Sequence, residues 1–312
     1  MEIKLLHRNE IDVNKWDTRV ALSSNGLPYA LSSYLDLVTD SNWSALVKGD
    51  YVSIFPLPFE MKMSLKMYLQ PPFTQQLGLI SEDNSMELLS EFLDAIPRDF
   101  AMLFLKGNEC NRISNLNEVV VRQRSNYVLD LNRDYEFIFS NFSKSLRKRI
   151  RKSKDYYEVI ESTDVDMLVD YYQNELQSIV GLNEDQFFKA RRLFDYLLIS
   201  GFGHIYTASS ENEIDGVLLV LQYQNRMINL FGASNSSGKQ HFAMHLILDH
   251  LIEQNANRNI IFDFEGSDIK GVKEFYKSFG PERKVYPELY IDNSPLWLTL
   301  VQKVRQFISF KK

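Results

Sequence analysis

Residues 203–231 lay down three short apolar runs in close succession, and this cadence restricts the fold more than any other feature. His204–Ala208, Val217–Tyr223 and Met227–Phe231 are rich in β-branched and aromatic residues. The polar clusters Glu211-Asn212-Glu213 and Gln224-Asn225-Arg226 separate them and read as turns, so the three segments form an antiparallel meander. The pattern then changes. A loop over Gly232–Lys239 leads to a helix, His241–Asn255, a buried strand, Ile260–Phe264, a helix near Val272–Phe279 and a last strand, Val285–Ile291. Strands joined by a helical crossover lie parallel. A meander followed by crossovers makes a mixed α/β sheet, not a doubly wound sheet that alternates strand and helix from the start.

Upstream, Tyr127–Leu131 alternates as a strand. Asp134–Lys154 reads as one long helix with Ile138, Phe142, Leu146 and Ile150 on a single stripe. Glu158–Glu161 is a strand, followed by helices Asp166–Ile179 and Glu184–Ile199. The N-terminal part is also mixed: a strand at Ile3–Leu6, a helix at Tyr29–Val38, a hairpin of Trp43–Val47 and Tyr51–Phe55, a strand at Met67–Leu69, a helix at Met86–Ala95 and a strand at Phe100–Leu105. An amphipathic helix, Pro295–Ile308, closes the chain. A chain of 312 residues exceeds the usual single domain, so two units are expected, 1–125 and 126–312.

One cysteine, Cys110, excludes an intrachain disulfide and any all-cysteine metal site. Met1–Val13 carries no leader-type apolar run, and the longest apolar stretches are too short to span a bilayer. A cytoplasmic protein is expected. The net charge of −6 argues against nucleic-acid binding by bulk charge. It hides a local exception: Phe142–Lys154 holds Lys144, Arg147, Lys148, Arg149, Arg151, Lys152 and Lys154 and no acid. Such a run is either the solvated face of an amphipathic helix or a surface for a large anion.

Three segments could carry chemistry. Gly232–Gln240 joins a strand to a helix, where free N–H groups and a positive dipole end favour phosphate. Asn235, Gly238, Lys239 and Gln240 are its candidate donor-binding residues; the alternative is a Ser/Gly turn. Asp263 and Glu265 alternate with Phe262 and Phe264, which places both carboxylates on one face at a strand's end. Either could accept an amine proton, or cap a helix or pair with a lysine. Tyr276, in Phe275-Tyr276-Lys277-Ser278-Phe279-Gly280, could protonate a leaving thiolate or simply pack. His241, His245 and Asp249 recur every four residues, but with Phe242, Leu246 and Ile252 alongside they read as the polar face of a packed helix; no metal is expected. Tyr68–Gln76 is a polar, aromatic loop, either a structural turn or the wall of an acceptor cleft.

Tyr276-Lys277-Ser278-Phe279-Gly280 resembles the Tyr-x-x-apolar-Gly pattern of GNAT-fold acyltransferases. Phe262–Gly266, Gly271 and Phe275–Gly280, with the basic helix Ser143–Lys154, resemble the Fem-like and BioF-like acetyltransferase domains. Asn235-x-x-Gly238-x-Gln240 stands where the GNAT loop has Gln/Arg-x-x-Gly-x-Gly/Ala. The resemblance implies two tandem GNAT-like units with mixed, mostly antiparallel sheets flanked by helices, and a donor site in the second. It implies Tyr276 as general acid and acyl-CoA, such as acetyl-CoA, as donor. The acceptor would be a primary amine on a small molecule or a peptidoglycan-precursor-like compound. Fem-type relatives take aminoacyl-tRNA as donor, so tRNA is the alternative partner. A GNAT-fold binding protein without catalysis is a third possibility. The long coiled-coil insertion common in Fem-type relatives has no counterpart in this sequence.

Overall fold

The computed structural model describes residues 1–113, 119–180, 184–211, 213–266 and 269–294. The chain divides into two compact units, Met1–Arg124 with the stretch from Val285, and Ser125–Lys284. The expected terminal helix Pro295–Ile308 lies outside the described residues.

The first unit contains β1 (Ile3–His7), α1 (Val13–Leu22), α2 (Ser32–Thr39), β2 (Trp43–Lys48), β3 (Ser53–Lys62), β4 (Leu65–Leu69), α3 (Met86–Asp94) and β5 (Met102–Lys106). Neighbouring strands β1 to β4 pair antiparallel, while β4 and β5 are parallel, Met67–Leu69 against Met102–Phe104. α3 makes the crossover. Its start is fixed by Ser85, whose hydroxyl accepts from Leu88 N at 3.3 Å, and its apolar side buries Leu88, Leu89, Phe92 and Leu93. The core gathers Phe55, Leu57, Tyr68, Phe92, Leu103 and Leu289.

The chain enters the second unit along β6 (Val120–Asp130). It continues as α4 (Tyr135–Ser140), α5 (Lys144–Ser153), β7 (Glu158–Ser162), α6 (Val165–Val180), α7 (Glu184–Ile199), β8 (Gly203–Ser209), β9 (Ile214–Tyr223), β10 (Arg226–Ser234), α8 (Ser236–His241), α9 (Ala243–Asn255), β11 (Ile261–Asp263), α10 (Lys270–Lys277) and β12 (Glu282–Asp292). The sheet order within this unit is β6-β11-β10-β9-β8-β7. β10 and β11 are parallel and the other neighbours antiparallel. β9 is central, with Val217–Leu221 fully buried.

Each unit therefore repeats one plan, an antiparallel meander that ends in a single parallel pair. Two such units with mixed, mostly antiparallel sheets are the architecture expected from the sequence.

Three local expectations change. The stripe over Asp134–Lys154 is split into two helices. Ser143 caps a new start by accepting from Leu146 N at 3.2 Å, and its own N–H donates to Ser278 O at 2.8 Å, so it cannot continue α4. The loop after the meander shrinks to Asn235: β10 runs through Ser234 and α8 begins at Ser236. The helix expected at His241–Asn255 is interrupted at Phe242, whose backbone is left-handed at φ 65°. The last strand also sits elsewhere than expected. Glu288–Asp292 of β12 pair antiparallel with Met102–Lys106 of β5, so this ladder places the stretch from Val285 with the first unit rather than in a unit spanning 126–312.

Candidate functional site

The parallel pair of the second unit opens a wedge. Register between β10 and β11 holds for three pairs, Arg226↔Ile261, Met227↔Phe262 and Ile228↔Asp263. Among the described residues β10 then continues alone on that side, with Leu230 the extra residue of a bulge between Asn229 and Phe231. β11 turns away: Glu265 has φ 57°, a left-handed conformation that ends the alternation. α10 fills part of the gap and leaves a cleft of about 510 Å³. β10 contributes Phe231–Ser234, α8 Gly238 and Lys239, α9 Met244 and His245, and α10 Gly271, Val272 and Phe275. At Gly271 a Cβ would meet nothing within 4 Å, so this wall has room.

Tyr276 stands beside the bulge. Its hydroxyl accepts from Asn229 Nδ2 at 3.2 Å, and its ring lies 5.4 Å from Phe264 and 5.7 Å from Phe275. Burial pushes its pKa well above the usual tyrosine range, with added push from Glu265 and Asp263; the Asn229 hydrogen bond pulls the other way. The hydroxyl is therefore protonated throughout the working pH range. Asp263 is buried and engaged: Oδ1 accepts from Glu265 N at 2.8 Å, and Oδ2 lies 3.1 Å from Arg226 Nε. Glu265 is partly exposed. Asp263, Glu265 and Tyr276 thus come together, but the two carboxylates have different surroundings: one is locked in an ion pair and a turn, the other is partly exposed and outside the cleft lining.

The loop residues separate by role. Asn235 caps α8, accepting from Gly238 N at 2.8 Å and donating to Asp215 Oδ1 at 2.7 Å. Gly238 packs on β9: a Cβ there would lie 2.0 Å from Asp215 O, which no larger residue can satisfy without moving the helix. Lys239 borders the cleft; Gln240 is exposed and lies outside its lining.

Behind the loop sits Asp215, which sequence reasoning missed. Its carboxylate accepts from Asn235 Nδ2, Ser237 Oγ at 2.7 Å and Tyr157 OH at 3.0 Å. These hydrogen bonds outweigh burial and hold its pKa below the usual value. The available signal was an acid set directly against the apolar run Gly216–Leu221. Asn229, a single polar residue inside Met227–Phe231, was the matching signal on β10.

The His241, His245 and Asp249 row is not a solvated face. His241 stacks on Tyr156 at 4.0 Å. His245 has both ring nitrogens buried without a hydrogen-bond partner among the described residues, and burial lowers its pKa to about 4. Its ring lies 4.7 Å from that of Phe275. Asp249 is fully buried, accepts from Tyr135 OH at 2.8 Å, and is pushed by burial up to about 6. The three side chains turn to different partners, and among the described residues no group of three or more metal-type ligands converges.

In the first unit the Tyr68–Gln76 loop is structural. Thr74, Gln75 and Gln76 are buried; Gln70 Nε2 donates to Thr74 O at 2.8 Å and Tyr34 OH donates to Phe73 O.

A meander, a bulged strand, a splayed parallel pair and a helix that carries a tyrosine into the splay give the second unit a GNAT-type fold, and the first unit repeats its meander and parallel pair. Residues 140–278 match the family model described as the acetyltransferase (GNAT) domain. Among solved structures, FemX aligns over 96% of this chain and 99% of its own, with a TM-score of 0.65 and 13% identity. A tandem GNAT protein from the clavulanic acid biosynthesis pathway aligns over 94% and 99%, with a TM-score of 0.53 and 11% identity. The C-terminal domain of a putative lysylphosphatidylglycerol synthetase from Agrobacterium fabrum aligns over 94% and 95%, with a TM-score of 0.54 and 12% identity. No curated protein matches the chain in sequence. Among the described residues no helix is long and apolar enough to cross a membrane.

Proposed function

We propose that this protein is an N-acyltransferase that moves an acyl group from an acyl-CoA thioester to a primary amine in the cleft between β10 and α10. The observation that carries this reading is the wedge itself. A bulged β10, paired with β9 throughout but with no partner among the described residues on its β11 side past Ile228, lies beside a tyrosine hydroxyl held by Asn229. Backbone N–H groups of β10 would polarise the thioester carbonyl. The amine nitrogen bonds to the carbonyl carbon, and its proton passes to Glu265 directly or through water. The carbon–sulfur bond then breaks and the thiolate takes the Tyr276 proton. Asp263 shapes the turn that presents Glu265. Lys239 would meet the donor at the α8 side, with Asn235 and Gly238 fixing the loop. The acceptor is an amine on a small molecule or a peptidoglycan-precursor-like compound, and the setting is the cytoplasm.

Gly271→Trp tests the site. A Cβ at Gly271 meets open space, so the larger side chain fills the cleft without forcing the backbone. Acetyl-CoA at about 100 times its dissociation constant should stabilise the native protein by about 2.7 kcal/mol and the variant by nothing measurable. Thiol release in the presence of an amine mixture should be lost with it. Equal turnover by Gly271→Trp would place the chemistry elsewhere.

A second donor has one observation in its favour. The acid-free basic run of α5 suits a polyanion, so aminoacyl-tRNA remains the alternative to acyl-CoA.

A further inference from the structure

The basic run has a defined relation to the cleft. α5 turns Leu146 and Ile150 into the core and leaves Lys144, Lys148, Arg149, Arg151 and Lys152 exposed. Lys154 reaches to within 3.9 Å of Asp249; the other six cations of the run enter no ion pair among the described residues. Two of the six converge on one ring. Arg149 Cζ lies 5.4 Å and Lys152 Nζ 5.8 Å from the centroid of Phe242. Phe242 is the left-handed junction between α8 and α9, and its ring lies 5.3 Å from that of His245, which lines the cleft. The charge of Arg149 is felt at His245, where it adds to the downward pKa shift caused by burial. The pair therefore stands one aromatic ring away from the cleft wall, next to the helix that brings Lys239 to the same cleft.

The start of α8, the usual phosphate cradle, is meanwhile partly occupied by its own side chains. Asn235 caps the Gly238 N–H, and the Asn235 amide and Ser237 hydroxyl are turned onto Asp215. α8 is only six residues long, which leaves little dipole to offer.

We propose that the phosphates of the donor lie over Phe242 against Arg149 and Lys152, with Lys239 on the cleft side, instead of on the first amides of α8. This rests on the donor-cleft reading above. The Arg149 guanidinium supplies a planar fork for phosphate oxygens and Lys152 a point charge. The Phe242 ring holds both cations in place before the ligand arrives. The left-handed break at Phe242 gains a purpose, since an unbroken helix would carry this ring to another face.

The test is titration calorimetry with CoA, with pantetheine, which has the same thiol arm without phosphates, and with an RNA minihelix. It uses the native protein, Arg149→Glu/Lys152→Glu, Arg149→Gln/Lys152→Gln and the control Lys144→Glu. Thermal unfolding confirms that each variant folds. Both double variants should weaken CoA by at least about tenfold, the scale of one lost charged hydrogen bond. Pantetheine should bind all proteins alike and Lys144→Glu should match the native protein. A minihelix that outcompetes CoA and is weakened by the same double variants would keep the phosphate site and make the donor an aminoacylated RNA. Unchanged CoA affinity in the double variants overturns the site while leaving the cleft intact, as does an equal loss with Lys144→Glu, which would signify bulk charge. Failure of the native protein to bind any of the three overturns the cleft reading and this one together.

Discussion

Each unit contains one parallel strand pair, and the two pairs have been put to different uses. In the first unit the ladder continues past β4. Gln70 N donates to Phe104 O at 2.8 Å and Leu77 N to Lys106 O at 3.1 Å, while the Gln70 side chain accepts from Lys106 N at 2.9 Å. A buried amide network locks the loops behind it: Asn111 Oδ1 accepts from Leu79 N at 3.0 Å and Asn108 N at 3.1 Å, and Asn108 Nδ2 donates to Leu79 O at 2.9 Å. In the second unit the ladder stops after three pairs and a cleft opens. Among the residues lining that cleft, His245 has both ring nitrogens buried without a hydrogen-bond partner among the described residues. A closed polar interior stabilises; an open one leaves bonding capacity for a ligand. The same crossover geometry is thus closed as a clamp in one unit and open onto a cleft in the other.

The largest effect should come from breaking the clamp. Asn111→Ala strips the partners from two buried N–H groups and should cost on the order of 3 kcal/mol in chemical denaturation. Acetyl-CoA affinity of the folded fraction should not change; a parallel loss of both would mean that the two pairs are functionally coupled. On the open side, Tyr276→Phe removes the proton source and little packing. kcat should fall about a hundredfold with donor affinity within about twofold. Unchanged kcat would remove Tyr276 from the reaction and return it to packing against Phe264.

The contrast explains what could be read from the sequence. The meander was legible because His204–Ala208, Val217–Tyr223 and Met227–Phe231 are apolar runs with polar turns, and such patterns act locally. The proximity of Asp263, Glu265 and Tyr276 followed from local signals, a carboxylate at a strand's end and a tyrosine one turn before a Gly cap, but the left-handed turn at Glu265 that takes it off the face of Asp263 did not. Asp215 was not, since its three partners come from residues 157, 235 and 237, and no local pattern joins them. The likeness of the two parallel pairs was equally hidden. β4 and β5 share register with no shared residues to announce it, and β12 reaches β5 from the far end of the sequence. Helix breaks at Ser143 and Phe242 escaped because the apolar stripe continues through both.

Acidity sharpens the comparison further. Asp249 is buried beside Tyr135, with Lys154 and Glu253 the other charges it feels; burial raises its pKa from 3.8 to about 6. A raised carboxyl pKa favours the protonated native state, so this group's relative stability is fullest below pH 4 and is lost as pH rises through 6. Asp249→Asn should therefore stabilise the protein by about 3 kcal/mol at pH 8 and by less than about 1 kcal/mol at pH 4. His245 runs in the opposite sense: with its pKa lowered to about 4, its neutral native form is undisturbed above pH 6.5 and costs stability as pH falls toward 4. Thermal midpoints of the native protein and both Asp249→Asn and His245→Phe across pH 4–8 separate the two. An Asp249→Asn difference that does not vary with pH would show that packing alone governs the site.

The smallest expected effect divides two neighbours on α8. Lys239 borders the cleft, whereas Gln240 is exposed outside it. If the loop bound phosphate along its whole length, both side chains would matter, since consecutive residues at a helix start share the same field. If instead the cap is satisfied by Asn235 and Asp215, only the residue that faces the cleft can contribute. Lys239→Ala should weaken CoA by about three- to tenfold, as expected for one partly screened charge, and Gln240→Ala by less than about twofold. Raising the salt concentration should shrink the first effect and leave the second unchanged. Equal losses from both substitutions would restore the loop as the cradle and make the closed Asp215 arrangement a state that the donor must open.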